Sequence, residues 1–530
     1  MGLWAKSVVI FNAIREHGKQ SIRSLAHRTG LSKSSVHRHL RAIVRRDRYP
    51  ESSLWETEAG RTWLIRLMVA TLFVFGLKRG VGAETISEFF SRLRLDSHVG
   101  CSPSALRTVM HVLARLLLET TAAWEAEGIA HGEIRPVIGA VDETFLQRMM
   151  LVLMDLATGY LLMEEVAADR SFETWFDRAN ERLTTFGAEV LYLVSDRAKA
   201  LIKLAHTGRG CLSIPDLFHL SHDLAKGYSL AIFGRLRQAK GDLEHAQRRL
   251  ETLQKDAQGE RVHIERAQAQ IAACTTSVSH WQGVGRAWRQ HLSNLSCILH
   301  PWRLADSTRQ ASKEVEKHLH AELLAIEALL ETNGLPGKKD TLDKVRKQLA
   351  GISALVDFWW QTVRHDLTQL AMTPKWTQWA EELLLPRMYW QEQLRRTRCP
   401  DQKAQMALVL QAIDDAFDRH SCTRQLKAEL LVGWKAWAAE HARAFQRASS
   451  AVEGRNGYLS QMQHNHRGLP LHRYQVWTVL HNFDCRAADG TTPASRFFRR
   501  SFPDLFESVL SQIDELPLPR QRRQVLVASN

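Results

Sequence analysis

Two aspartates directly follow apolar runs of the kind that form buried strands. The run 136–141 leads into Asp142, and the run 189–195 leads into Asp196. Carboxylate oxygens are the ligands that hard cations such as magnesium prefer. Taken singly, each acid also fits a helix cap or a solvent-facing turn residue. The chemistry of these acids therefore depends on the elements that position them.

The residue pattern between positions 134 and 225 predicts alternating strands and helices. Glu143 competes with Asp142 for a role at the end of the first strand. Adjacent strand residues point to opposite faces, however, and Asp142 continues the buried pattern. In chain order we expect a strand ending at Asp142, a hairpin of strands 149–154 and 160–166, a helix at 172–186, a strand at 189–195, a helix at 198–206 and a strand at 211–214.

This order of elements, with acids at the ends of the first and fourth strands, resembles the ribonuclease-H-like core shared by DDE transposases and retroviral integrases. In that family the first and fourth strands are neighbours. The resemblance therefore implies that Asp142 and Asp196 converge at one edge of the sheet. It covers residues 134–225 and 445–498 of this chain.

The family's third carboxylate comes from a later helix. In the stretch 448–458, serines precede Glu453, and Asn456 follows one helical turn later. This stretch resembles the third motif of the family. Glu429 and Glu440 are the alternative third acids.

The resemblance implies metal-dependent phosphodiester chemistry, in which two metal ions activate the attacking oxygen and stabilise the leaving oxygen. By family precedent, Asp142 bridges two Mg²⁺ ions while Asp196 and Glu453 each help to hold one. Mn²⁺ is expected to substitute for Mg²⁺. Water attacks first, and the freed 3′-hydroxyl of the element's end then attacks target DNA without a nucleotide cofactor.

His219 is a candidate accessory residue of the same site. It lies just after the fifth predicted strand, where related enzymes often carry a polar residue near the metal ions. An ordinary histidine at the start of a helix is the alternative.

The charge of the chain favours DNA as a partner. Lysine and arginine total 71 against 57 acidic residues, which gives a net charge of +14. Eleven of these basic residues, against two acids, lie within residues 1–48. There the stretch 21–40 predicts a helix-turn-helix, with Gly30 at the turn and Val36 and Leu40 on the inner face of the second helix. A basic, solvated helical bundle is the alternative.

The second helix of this unit is expected to enter the major groove of DNA. Further DNA contacts are expected from residues that follow Glu453, both in the same helix and in the polar stretch after it. The predicted DNA-binding residues are Lys33, Ser34, Ser35, His37, Arg38, Arg41, Arg455, Asn456 and Arg467.

The rest of the chain is predominantly helical in its pattern. Between the second and third acids, apolar residues from Leu236 to Ala257 recur every three or four positions, which predicts a coiled coil or a long helical hairpin with a bend near Gly259. The fold class is thus an α/β ribonuclease-H-like core interrupted by a large all-α insertion, preceded by helical DNA-binding units. The predicted units are a helix-turn-helix domain (1–50), a helical linker or second helix-turn-helix (51–133), the first part of the core (134–225), the insertion (226–440), the second part of the core (441–500) and a basic tail (501–530).

Several other classes of protein are disfavoured. The apolar stretch 67–77 is shorter than the roughly 20 residues of a membrane-spanning helix, so no membrane partner is expected. No signal segment opens the sequence, which predicts a cytoplasmic, nucleoid-associated protein. The seven cysteines are widely spaced without a C-x-x-C pair, which argues against a disulfide framework and a zinc knuckle.

Together these features predict a DDE transposase of a bacterial insertion sequence. It would cleave the ends of its element and join them to target DNA, so its partner is double-stranded DNA. Pairing two DNA ends implies a homodimer or a higher oligomer. A DNA-binding regulator, a domesticated transposase without catalysis and a ribonuclease-H-like nuclease are the alternatives.

Overall fold

The computed structural model describes residues 3–47, 49–130, 132–146, 148–255, 261–335, 339–464, 471–487 and 489–519. This part of the chain is mostly helical and contains a five-stranded sheet. Strands and helices follow one another in the order that the sequence predicted. Along the chain, helices precede the first strand, and a large helical segment follows the fifth strand.

The sheet consists of β1 (Arg135–Leu146), β2 (Arg148–Asp155), β3 (Tyr160–Ala167), β4 (Ala188–Ser195) and β5 (Leu212–Pro215). Its spatial order is β3-β2-β1-β4-β5. β1 pairs antiparallel with β2 and parallel with β4, and β5 extends the parallel side. Gly139 allows β1 and β4 to approach closely, because a Cβ atom there would lie 2.5 Å from the Leu193 side chain.

The two faces of the sheet contact different hydrophobic cores. Side chains alternate between the faces with a period of two. Ala140 belongs to one core, which includes the large helical segment, and Val141 belongs to the other, which includes helices between residues 64 and 117. Asp142 therefore lies on the face of Ala140, and Glu143 lies on the opposite face.

Three helices form the amino-terminal unit: α1 (Leu3–His17), α2 (Ile22–Thr29) and α3 (Lys33–Arg46). The Ser21 and Ser32 side chains accept backbone hydrogen bonds at the starts of α2 and α3. Gly30 ends α2 with a φ of 66°, the left-handed conformation that this turn requires. The core of the unit consists of Ile10, Leu25, Val36 and Ile43.

Four helices connect this unit to the sheet: α4 (Ser52–Trp55), α5 (Glu58–Thr71), α6 (Ala83–Arg92) and α7 (Pro103–Ile129). A π-helical segment, Leu72–Lys78, continues α5, and a 3₁₀ turn, Leu95–Ser97, precedes α7. Among the described helices, Glu58–Lys78 alone has the length and composition to cross a membrane, yet half of its apolar window is buried inside the protein. A buried helix in the core of a globular bundle can have the same length and apolar composition, and Met68 and Leu72 are buried in such a core.

Two helices connect strands within the sheet unit, α8 (Phe172–Thr185) and α9 (Lys199–Lys203), and a π-helical segment, Leu204–Arg209, continues α9. The large helical segment follows β5. Its helices are α10 (Leu217–Lys255), α11 (Arg261–Ile298), α12 (Ser312–Thr332), α13 (Lys339–Arg346), α14 (Leu349–Gln369), α15 (Pro374–Trp379), which continues as the π-helical segment Ala380–Leu384, α16 (Leu385–Arg396), α17 (Pro400–Arg419), α18 (Ser421–Gln425) and α19 (Ala428–Ala444).

The helices α10 and α11 form an antiparallel hairpin. Trp288 Nε1 donates a hydrogen bond to Ser229 Oγ at 2.9 Å, and Gly285 faces the Phe233 ring. Residue numbers therefore increase along α10 in the direction in which they decrease along α11. The predicted bend at Gly259 lies outside the described residues.

The large helical segment begins and ends at one place. The Leu217 N–H donates to the Arg447 carbonyl at 3.0 Å, and the Gln446 N–H donates to Tyr192 Oη at 2.9 Å. The large helical segment therefore leaves the sheet at Leu217 and returns to it at Arg447, while the six-part division of the chain, with its insertion, stays a prediction. The remaining helices are α20 (Ser450–His464), α21 (Leu471–Phe483), α22 (Pro493–Phe497) and α23 (Leu505–Leu510).

Candidate functional site

Asp142 lies on β1, and its residue surface is 8% exposed. Oδ1 accepts a hydrogen bond from the Glu143 N–H at 2.9 Å, and Oδ2 accepts one from Asn456 Nδ2 at 2.8 Å. Asn456 is itself buried on α20. The helix that carries Glu453 thus fixes the orientation of the Asp142 carboxylate.

Asp196 follows β4 at the same edge of the sheet. In the parallel pairing of β1 with β4, Ala140 lies opposite Val194, so Asp142 and Asp196 each stand two residues beyond that pair. Asp196 is exposed, and its Oδ1 accepts the Ala198 N–H at 2.9 Å. Asp196 therefore follows the end of its strand, whereas Asp142 lies inside β1, which continues to Leu146 and does not end at Asp142 as the sequence predicted.

Glu453 lies in the first turn of α20, next to His219. Its Oε1 is 3.3 Å from His219 Nε2, and its side chain is half-buried. Two residues later, Arg455 donates hydrogen bonds of 2.7 and 2.6 Å to the two carboxylate oxygens of Glu164 on β3. This buried ion pair and the bond from Asn456 to Asp142 dock α20 against the sheet.

Asp216 holds His219 in place. Its buried carboxylate accepts hydrogen bonds from the Ser449 N–H at 3.0 Å and from His219 Nδ1 at 2.7 Å, and the Ser449 hydroxyl donates to it as well. His219 Nε2 consequently faces Glu453. Sequence reasoning gave Asp216 no role, although its spacing of three from His219 places both on one side of a helical turn.

The site concentrates negative charge around one histidine. Burial, and then the charge of Glu453, raise the pKa of Asp142 to about 7. The hydrogen bond from His219 to Asp216, followed by the charges of Asp216, Glu453 and Asp142, raises the pKa of His219 to about 9. Burial alone would raise the pKa of Asp216, but the hydrogen bonds from His219 and Ser449 lower it overall. At neutral pH an imidazolium therefore lies between the acids.

The opposite face of β1 carries a second acidic contact. Burial, and then the charge of Asp196, raise the pKa of Glu143. One oxygen of Glu143 is buried without a hydrogen-bond partner in the described part of the chain. The charge of Asp196 therefore acts on Glu143, on the face of β1 opposite Asp142.

The donor set at this edge suits a hard divalent cation, because it consists of carboxylate oxygens. Asp142 and Glu453 repel each other, and a cation between them would remove the repulsion. Within the described ranges, no three His, Cys, Asp or Glu side chains are close enough together to hold a metal ion. Asp142 and Glu453 are therefore the pair that fits, with Asp196 at the neighbouring strand end.

The structure corrects two predicted DNA contacts. Arg455 and Asn456 are both buried, at 6% and 8% exposure, with their polar groups directed at Glu164 and Asp142. Both side chains lie on the face of α20 that docks on the sheet, so they position Glu164 and Asp142 and are not placed to contact DNA. Arg467 lies outside the described residues. The alternative acid Glu440 forms an ion pair with Arg499 instead.

The helix α3 presents a basic outer surface. Val36, His39 and Ile43 are buried on its inner side. Ser35 was predicted to contact DNA, but it is half-buried. Its hydroxyl is enclosed without a hydrogen-bond partner among the described residues, so Ser35 lies nearer to the inner side of α3. The exposed residues of the outer side are Lys33, Ser34, His37, Arg38 and Arg41.

Two parts of the chain match known families. Residues 5–47 match the IclR helix-turn-helix domain, which confirms the predicted helix-turn-helix and extends it over α1. The amino-terminal unit therefore indicates that the protein binds double-stranded DNA. Residues 363–525, which include Glu453, match a family of unknown function, DUF6399. No curated protein matches the chain.

Proposed function

We propose that this protein is a DDE transposase, which cleaves the ends of a DNA element and joins them to target DNA in a metal-dependent reaction. The main support for this proposal is the position of the three acids. Asp142 lies on β1, Asp196 directly follows the neighbouring parallel strand β4, and Glu453 approaches Asp142 from a helix docked on the same sheet. The strand order β3-β2-β1-β4-β5 supports a ribonuclease-H-like core.

The three acids would hold the metal ions, which when bound supply activation of the attacking oxygen and stabilisation of the leaving oxygen. The chain itself orients the acids. Asn456 fixes Asp142 through a hydrogen bond of 2.8 Å, and the pair of Arg455 with Glu164 fixes the helix that carries Glu453.

The helix-turn-helix would bring a specific DNA end to this site. The exposed cations Lys33, Arg38 and Arg41 lie on the outer side of α3, where they can reach phosphates and base edges. Arg46, in the last turn of α3, forms an ion pair of 2.5 Å with Glu56, which ties the unit to the helices that follow. Binding at α3 is thus mechanically connected to the body of the protein.

A second candidate is a DNA-binding regulator or a domesticated transposase without catalysis. The match of residues 5–47 to the IclR helix-turn-helix domain supports DNA binding, and the exposed position of Asp196 favours this candidate. This candidate requires only the amino-terminal unit and leaves the acids without a role.

Cleavage and strand transfer on DNA that carries the element's own ends separate the two candidates. We compare wild type with Asp142→Asn, Asp196→Asn and Glu453→Gln in Mg²⁺ and in Mn²⁺, and Glu440→Gln is the control acid. Each of the three variants should bind DNA as wild type does and lose at least about 100-fold in both steps, since even outer-shell changes at metal sites cost 10- to 100-fold. Wild type that binds the ends without cutting them would establish the regulator.

A further inference from the structure

Four arginines from three separate helices lie at one junction, where the carboxyl ends of α16 and α19 approach α22. Arg395 and Arg396 end α16, Arg443 lies in the last turn of α19, and Arg496 lies in α22. We call these four residues the arginine cluster.

Contacts between the three helices define the cluster. Arg396 Nη1 donates to Gln446 Oε1 at 3.0 Å, and Gln446 Nε2 donates to the Arg443 carbonyl, which joins α16 to the end of α19. An ion pair between Glu440 and Arg499 joins α19 to the end of α22. Arg443 and Arg496 lie three residues from these partners, so both belong to the same junction.

The cluster carries more positive than negative charge. Glu392 pairs with both Arg395 and Arg396, at 2.8 and 2.6 Å. Asp489 is the other acid that acts on the cluster, through Arg395 and Arg496. Four guanidinium groups against two carboxylates leave a charge of +2. Among the described residues, neither Arg443 nor Arg496 forms an ion pair with a carboxylate.

Neutral groups fix Arg496 in its position. Its Nε and Nη2 donate to the Thr158 carbonyl at 2.9 and 2.7 Å, and Nη1 donates to Thr491 Oγ1 at 2.8 Å. Burial, and then the charges of Arg395, Arg443 and Arg396 against that of Asp489, lower the pKa of Arg496. The fold thus holds a half-buried cation among like charges, an arrangement that an anion would stabilise.

We propose that the arginine cluster binds a phosphate group of the DNA backbone. Guanidinium groups match phosphate oxygens in geometry and retain their charge at all physiological pH values. The site is separate from the three acids, because Thr158 belongs to the turn between β2 and β3, beyond the pair of Asp155 with Gly139. Asp142 lies three residues further along β1, or about 10 Å at roughly 3.3 Å per residue. The proposal does not depend on catalysis at the acids.

The test uses the full chain as wild type, Arg443→Gln and Arg496→Gln. Arg92→Gln removes an exposed guanidinium of α6 that is already paired with Glu88 and is the matched control. Thermal unfolding in sodium phosphate is compared with unfolding in sodium chloride of equal ionic strength. The salt dependence of binding to duplex DNA is measured for the same proteins.

Phosphate should raise the unfolding temperature of wild type and of the control above the value in chloride, and it should not do so for the two cluster variants. Arg443→Gln should be at least as stable as wild type in chloride, because it removes a repulsive charge, and this guards against a folding defect. The slope of log K against log salt concentration should fall by about 0.9 for each DNA phosphate that the variant no longer neutralises. Loss of the phosphate effect with an unchanged slope would assign the site to free phosphate or a phosphorylated small molecule. Wild-type behaviour of both cluster variants in both assays would refute the proposal.

Discussion

Arg455 and Glu164 form an ion pair whose side chains are 4% and 0% exposed. Thr478 Oγ1 donates a further hydrogen bond of 2.6 Å to the same carboxylate. Because Arg455 follows Glu453 by two residues, this pair sets the position of the helix that carries Glu453 relative to β3. A buried ion pair thereby determines where the Glu453 carboxylate lies.

Replacing Arg455 with leucine should destabilise the protein strongly. The change leaves the Glu164 charge buried without a partner, which costs about 3–5 kcal/mol. Thermal unfolding should show a large fall for Arg455→Leu and a smaller one when Glu164→Leu is added. Arg499→Leu, which breaks an exposed pair, should cost about 0–1 kcal/mol. Equal losses of stability in Arg455→Leu and Arg499→Leu would contradict this account of the buried pair.

At the scale of elements, a polar joint connects the helix-turn-helix to the bundle behind it. Arg46 of α3 bonds to Glu56 and, at 3.3 Å, to the Ser7 hydroxyl of α1. His98 packs beside this pair with 1% exposure, and its Nδ1 is 4.0 Å from Glu56 Oε1. The joint is thus enclosed and contains a titratable group.

Acid should weaken this joint. Burial, and then the charge of Arg46, lower the pKa of His98 to about 4, although Asp96 and Glu51 act to raise it. A histidine whose pKa is lower in the folded state stabilises the fold above its ordinary pKa of about 6.5, and that stabilisation is lost as the pH falls toward 4.

The unfolding temperature of wild type should accordingly fall more between pH 7 and pH 4.5 than that of His98→Gln. His37→Gln, at an exposed position of α3, is the control and should follow wild type. The same pH dependence in all three proteins would show that His98 does not titrate in the joint.

Local patterns predicted the elements better than the contacts between them. Asp142 and Asp196 were identified because each follows an apolar run of strand type, and such signals lie within a few residues of each other, although β1 continues past Asp142 to Leu146. The bonds of Arg455 to Glu164 and of Ser449 to Asp216 join residues 291 and 233 positions apart. No local period encodes such partners, so the buried role of Arg455 was mistaken for an exposed one.

At the scale of the whole molecule, the insertion divides into a packed base and a projecting hairpin. Tyr228, Ile232 and Trp288, near the base, belong to the core that contains the sheet. Ala246, Ala267 and Cys274, further out, are buried but belong to neither large core. The outer part of the hairpin therefore packs mainly on itself.

Removing the outer part of the hairpin should leave the rest folded. The contacts between Phe233 and Gly285 indicate that residues 240 and 278 face each other, so a short turn can replace residues 241–277. The unfolding temperature should change by only a few degrees, because neither large core loses a residue. Replacing Trp288 with alanine, which opens the packed base, is the destabilising control at about 3–5 kcal/mol. An unfolded deletion variant would show that the outer part supports the body.

The insertion also fixes the order in which the site is made during translation. Asp142 and Glu453 are separated by 311 residues of chain, the difference of their positions. At roughly 5–20 residues per second, a ribosome needs about 15–60 s to pass from one to the other. The nascent sheet emerges long before its last acid, and Glu453 reaches β1 only after the insertion has folded back and brought Arg447 next to Leu217. A polypeptide still attached to the ribosome thus carries a DNA-binding domain without a complete site.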